Sequence, residues 1–117
     1  MTAVIQFIRG IDEKTIAEVK LTRSRDGNTG TATFHFDKPN IINQDISKNN
    51  NDITGMFMID DEGILFTRNI NAYYINGKPQ AIQAVYIMKN RDAWDRFIRF
   101  MERYSRSNNL SFTKSNL

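Results

Sequence analysis

Few side chains in this chain can do covalent chemistry, and they are not gathered in sequence. Of 117 residues one is a histidine, His35, and none is a cysteine. Without cysteine there is no thiol nucleophile, no zinc-thiolate or iron–sulfur site and no disulfide. His35 stands in the alternating string Thr31-Ala32-Thr33-Phe34-His35-Phe36, with no nucleophile or metal-ligand spacing organised around it. It reads as a sheet-surface or interface histidine, with an acid–base or metal role as the alternative. Asp60-Asp61-Glu62 puts carboxylates side by side but lacks the spaced oxygen ligands of a calcium loop, so it reads as a solvated hairpin turn. Arg25-Asp26-Gly27-Asn28-Thr29-Gly30 has two glycines but neither the Lys-Ser/Thr of a phosphate loop nor a helix after it. Those glycines are assigned to the turn. No nucleophile and base can be paired, so the chain reads as a protein that binds, not an enzyme, with no catalytic residue, metal or cofactor.

Positive charge is the chemistry that remains. Sixteen Lys and Arg against thirteen Asp and Glu leave +3, too little by itself to imply nucleic acid. Residues 1 to 88 carry nine basic and ten acidic side chains, whereas residues 89 to 117 carry seven and three, so the whole excess is carboxyl-terminal. Two basic features stand out: Lys20, Arg23 and Arg25 around a first hairpin, and Arg96, Arg99, Arg103 and Arg106 along a helix face. Each is either a solvated charged face or a docking surface for an acidic protein or lipid. Arg99 and Arg103 are like-charged at i, i+4, which favours a use. An RNA-binding sheet would stack bases on aromatics of a Lys/Arg-Gly-Phe-type central strand, and no such string occurs here.

The elements that must hold these residues are mostly strands. Val4 to Ile8 is β-branched and aromatic and stops at Arg9-Gly10. Ile16 to Ser24 alternates around Val19 and Leu21, which favours a strand over a short helix from Glu13 to Val19. The Arg25–Gly30 loop closes a hairpin onto Thr31 to Phe36, whose Ala32, Phe34 and Phe36 face one way and Thr31, Thr33 and His35 the other. Pro39 to Asp52 is dominated by Asn and reads as a mobile surface loop. Ile53 to Ile59 and Ile64 to Thr67 form a second hairpin. Ile70 to Ile75 and Gln80 to Met88 form a third around Asn76-Gly77, both of which accept the positive φ of a type I′ turn. Pro79, without an N–H, is expected outside the ladder.

Residues 91 to 106 form one amphipathic helix capped by Asn90, with Ala93, Trp94, Phe97, Ile98, Phe100, Met101 and Tyr104 as its apolar stripe. Asp92 with Arg96, Asp95 with Arg99, and Glu102 with Arg106 are spaced as i, i+4 pairs on its other face. Leu110 and Phe112 are expected to pin the tail. The sum is a single domain over 1–117, mainly β, with antiparallel hairpins and one C-terminal helix packed on them. No apolar run reaches the roughly 18 residues of a membrane span, and no secretory or transit signal is visible, so a soluble protein is expected.

Longer strings carry more than their chemistry. Phe7-Ile8-Arg9-Gly10, Leu21-Thr22-Arg23-Ser24-Arg25-Asp26-Gly27, Thr29-Gly30-Thr31-Ala32-Thr33-Phe34, Ile53-Thr54-Gly55-Met56, Asn76-Gly77-Lys78-Pro79-Gln80-Ala81-Ile82, Trp94-Asp95-Arg96-Phe97 and Arg99-Phe100-Met101-Glu102-Arg103-Tyr104 follow in that order. In this order and spacing, over nearly the whole chain, they resemble the Psb-twenty-eight family of photosystem II assembly factors. Residues 40 to 52, Gln83 and Asn109-Leu110-Ser111-Phe112 depart from the family pattern. The Asn and Ile bias would suit an AT-rich genome such as that of a plastid.

The resemblance implies a mainly antiparallel β protein attached peripherally to the cytosolic or stromal side of the thylakoid. It implies transient binding to photosystem II assembly or repair intermediates, through core-antenna and reaction-centre subunits, that protects the immature acceptor side. It also implies extension of the sheet by partner segments, with no nucleic acid and no cofactor. Strand addition needs only an unpaired edge. Gly30 to Phe36 is the expected edge, and the expected partner-binding residues are Lys20, Arg23, Arg25, Thr31, Thr33, His35, Arg96, Arg99, Arg103 and Arg106. A free edge also makes a weak homodimer an expectation. The alternative is a small basic β protein binding single-stranded RNA.

Overall fold

Alternation with a period of two becomes a strand in this chain wherever a turn residue closes it. The computed structural model describes residues 3–40, 53–76 and 78–108, of which 78 and 79 as backbone. In chain order the described elements are β1 (Val4–Ile8), β2 (Ile11–Asp12), β3 (Glu18–Arg23), β4 (Gly30–Asp37), β5 (Met56–Asp60), β6 (Gly63–Thr67), β7 (Ile70–Ile75), β8 (Lys78–Met88) and α1 (Arg91–Ser107). They form two four-stranded antiparallel sheets, ordered β2-β1-β5-β6 and β3-β4-β8-β7. The mainly β reading with one C-terminal helix is therefore correct.

The chain changes sheet from β2 to β3, from β4 to β5 and again between β6 and β7. There the Thr67 hydroxyl donates to the Val85 carbonyl at 2.6 Å and the Val85 N–H donates to the Asn69 carbonyl at 2.9 Å, which ties the sheets together. Between them lies an aromatic core, because the alternating residues of β1, β4 and β5 all turn inward. Phe7 meets Phe36 edge-on at 5.0 Å, and Phe34 meets Phe97 of α1 edge-on at 6.0 Å. Trp94, Phe97, Ile98, Phe100, Met101 and Tyr104 are all buried, so the helical stripe read from the sequence is the face that docks. Asn90 caps α1 by accepting from the Ala93 N–H at 2.8 Å. A cap of this kind contributes about 1 kcal/mol.

Several expectations are corrected. Gly30–Phe36 is not an edge: β4 is paired with β3 from Gly30 to His35 on one side and with the eleven-residue β8 from Gly30 to Asp37 on the other. Its alternation reports one buried face, and a buried face says nothing about how many neighbours the backbone has. The segment from Glu13 to Ala17 is irregular, β2 was not foreseen, and β5 starts at Met56 instead of Ile53. Pro79 lies inside the ladder opposite Tyr74, beside an irregularity where the register shifts between Tyr73 and Tyr74. Skipping a residue there accommodates a position without an N–H. Asn76 has φ 54, as the turn requires, whereas Gly77, the Asn-rich 41–52 segment, Leu110 and Phe112 lie outside the described residues.

Candidate functional site

The helix arginines do not form a free surface. Asp60, at the end of β5, has a fully buried side chain, and the sequence provides its neutralisation from α1. Arg96 grips it with both terminal nitrogens, Nη1 to Oδ2 at 2.9 Å and Nη2 to Oδ1 at 2.6 Å. Arg103 adds a further bond to Oδ2 at 2.9 Å. Glu62, beyond the turn, accepts from Arg99 Nε at 2.8 Å and Nη2 at 3.0 Å, and from Arg103 Nη1. Three arginines one helical turn apart thus clasp the β5–β6 turn, with paired Arg–carboxylate contacts that match the guanidinium fork.

The clasp corrects the reading of the acidic turn. The acidic turn is an intramolecular ligand for α1, not merely solvated, and Arg96 and Arg103 are largely buried in holding it. Arg96 also aims its Nε at Glu62, 3.8 Å away, so its whole guanidinium faces the turn instead of serving only as a helix-surface partner for Asp92. Arg99 remains half exposed, and Arg106 is exposed at the last turn of α1. Burial pushes the Asp60 carboxyl up, but the hydrogen bonds from Arg96 and Arg103 outweigh it and hold the group below its ordinary value. Hydrogen bonds from Arg99 and then Arg103 lower Glu62 to about 2.

The first basic feature divides as well. Arg23 lies over the Trp94 ring at 4.7 Å and donates through Nε to the Gly27 carbonyl at 3.2 Å. It is held as a cation–π lid on the helix. Gly27 has φ 75 and serves the turn, whereas Gly30 serves packing: a Cβ there would collide with the Trp94 ring. The turn between them is self-satisfied, since Asp26 accepts from the Ser24 hydroxyl at 2.6 Å and the Asn28 N–H at 3.0 Å. These two bonds, Ser24 first, hold the Asp26 carboxyl below its ordinary value. Arg25 is exposed on this turn.

What remains free lies on the outer face of the second sheet. Register sets Glu18 opposite His35 and His35 opposite Gln83, then Lys20 opposite Thr33, then Thr22 opposite Thr31. Directly opposed side chains share a face, so all of these point away from the core. Glu18, Lys20, Thr33, His35 and Gln83 line one recess of about 280 Å³. Its lining is a lysine, a glutamate and three further hydrogen-bonding side chains, which suits side chains of a docked segment more than a large apolar ligand. Among the described residues no three His, Asp or Glu side chains gather to hold a metal. The structure therefore brings together Lys20, Thr33 and His35, with Thr31 nearby, and separates them from the helix arginines.

Beside this face runs β3, the outermost strand of its sheet among the described residues. The opposite edge, β7, was not singled out from the sequence: Tyr73, Tyr74 and Ile75 on it are 46, 62 and 61% exposed. Its signal was present, since Ile70-Asn71-Ala72-Tyr73-Tyr74-Ile75 carries no charge at all. Glu18 and Gln83 were also missed, because a recess made by three strands has no sequence spacing.

A family model described as the Psb28 protein matches residues 5–112. A photosystem II reaction center Psb28 protein of Thalassiosira pseudonana is 62% identical over 115 residues, 98% of this chain and all of the relative. The protein of that name from Guillardia theta is 60% identical over 97% of each chain, and that from Synechococcus elongatus is 52% identical over 98% of this chain and all of the relative.

Proposed function

The chain belongs to the Psb28 family, and from that premise we propose that it is an accessory factor of photosystem II that works by binding. In this reading it docks transiently on assembly or repair intermediates at the cytosolic or stromal face of the thylakoid, contacting core-antenna and reaction-centre subunits and protecting the immature centre. The observation that carries the reading is 62% and 52% identity, over 98% of the chain, with proteins named for the photosystem II reaction center. No described helix is long and apolar enough to cross a membrane, which is consistent with peripheral attachment.

The docking surface we assign is the β3 edge with the outer face beside it: Lys20, Arg25, Thr31, Thr33 and His35. An edge strand presents unpaired N–H and C=O groups to an added strand, and the neighbouring side chains select its sequence. Val19 and Leu21 on the inner side of β3 are only half-buried, so an added strand would finish covering them. Arg96, Arg99 and Arg103 are left to the clasp and Arg23 to Trp94. The test is affinity isolation of the tagged protein from thylakoids. Photosystem II intermediates lacking the oxygen-evolving subunits are expected with it, and recovery of RNA or ribosomes in their place would overturn the reading.

A further inference from the structure

Past the body of the second sheet, β7 and β8 continue alone. β4 pairs with β8 only as far as Asp37 opposite Ala81, and the Lys38 N–H adds a last bond to the Gln80 carbonyl at 2.8 Å. Beyond it Tyr74 pairs with Pro79 and Ile75 with Lys78, and among the described residues no other strand joins them. Tyr74 and Ile75 are more exposed than any other large apolar side chain described. Successive residues of a strand point to opposite faces, so the β7 side of this two-stranded ribbon is apolar on both faces and covered on neither. A partner protein laid on one face would leave the other in water, whereas immersion in a fluid apolar layer covers both.

The charge around the ribbon selects the layer. Gly63 to Asn90 contain Arg68, Lys78 and Lys89, and all thirteen Asp and Glu of the chain lie outside that stretch. Arg68 and Lys89 are exposed at the ends of β7 and β8 away from the tip, and Lys78 stands at the tip opposite Ile75. Asp37, where β4 ends, is the first carboxylate met toward the body, and Lys38 follows it. Tyrosine suits the boundary of a bilayer, since its ring is apolar and its hydroxyl reaches water and headgroups. Unpaired backbone groups on the outer edge of β7 exclude deeper insertion, because hydrocarbon cannot satisfy them.

We propose that the β7–β8 tip is a lipid-contact element: Tyr73, Tyr74 and Ile75 enter the headgroup boundary of an anionic bilayer, and Arg68, Lys78 and Lys89 are attracted to its charge. A contact of this size is weak and salt-sensitive, so it concentrates and orients the protein on the membrane without anchoring it. It is independent of the docking surface at β3, which is the opposite edge of the same sheet.

Cosedimentation with vesicles tests the proposal. The wild-type protein is expected to bind vesicles of phosphatidylcholine mixed with phosphatidylglycerol about tenfold or more tightly than vesicles of phosphatidylcholine alone, with the difference lost in high salt. Tyr74→Ser/Ile75→Ser should weaken binding to the mixed vesicles about tenfold. Lys78→Gln should weaken it several-fold, whereas Arg106→Gln, the same loss of charge at the exposed end of α1, should leave it unchanged. Tyr74→Trp puts an indole at the tip of a chain whose own tryptophan, Trp94, is buried, and its emission should shift to the blue on the mixed vesicles. That signal carries the test if the double variant fails to fold. No binding by the wild type, equal binding to neutral vesicles, normal binding by the double variant, equal losses in Lys78→Gln and Arg106→Gln, or unshifted emission from Tyr74→Trp would each overturn the proposal. Vesicle binding without capture of photosystem II intermediates would sink the docking alone, and capture without vesicle binding would sink the lipid contact alone.

Discussion

Asp60 shows how one residue decides the use of three others. A carboxylate with no exposed side-chain surface is costly unless it is paired and hydrogen-bonded, and Arg96 and Arg103 supply both. Asp60→Asn is expected to lower stability by about 3 kcal/mol, the lower end for opening a buried ion pair, because both arginines keep a path to water. Chemical denaturation at neutral pH measures it. Glu62 makes the clasp sensitive to acid. Its folded carboxyl titrates at about 2 against an ordinary 4.5, so its contribution is complete above 4.5 and is lost as pH falls toward 2. Thermal melts across that window should show a falling midpoint, with a shallower fall in Glu62→Gln. From the sequence Asp60 and Glu62 were legible only as turn residues, since their partners lie some forty residues away on another element.

At the scale of elements, α1 is held at both ends and along one face. Its cap, its stripe and its length were legible because helix signals are local: Asn90 precedes the first turn, and apolar residues recur at three and four. Asn90→Ala should cost about 1 kcal/mol in denaturant melts without altering the fold. The contact of α1 with β4 was not legible. Gly30 looked like a turn glycine beside Gly27, yet its place in β4 is under the Trp94 ring. Gly30→Ala should therefore push Trp94 aside and destabilise by about 1–3 kcal/mol, as overpacking does, with a change in Trp94 fluorescence. Gly27→Ala instead meets a positive φ, with only ordinary contact to the Arg23 guanidinium at 3.5 Å, so it should destabilise through backbone strain without pushing the Trp94 ring aside.

For the whole molecule, the sandwich turns two faces to solvent and assigns the basic residues to different tasks. The clasp uses Arg96, Arg99 and Arg103 for cohesion, while the face around Lys20 and His35 stays available. This separation predicts a dissociation of effects in thylakoid isolations. Arg99→Ala should recover photosystem II intermediates at close to the wild-type yield, because an exposed pair contributes little to stability. Lys20→Glu should reduce recovery several-fold. Equal losses in both variants would return the helix face to the interface.

The sequence by itself determined the class of this protein. Period-two alternation, turn residues and one helical stripe specify hairpins and a docking helix. The family strings, read in order, named the lineage. Sheet order, the true edges and the fate of each arginine were decided only in three dimensions. A strand's own residues record which face is buried, but whether its backbone is shared on one side or two depends on segments far along the chain. Likewise a guanidinium on a helix surface carries no mark of its partner, and only the docking of α1 brings Asp60 and Glu62 within its reach.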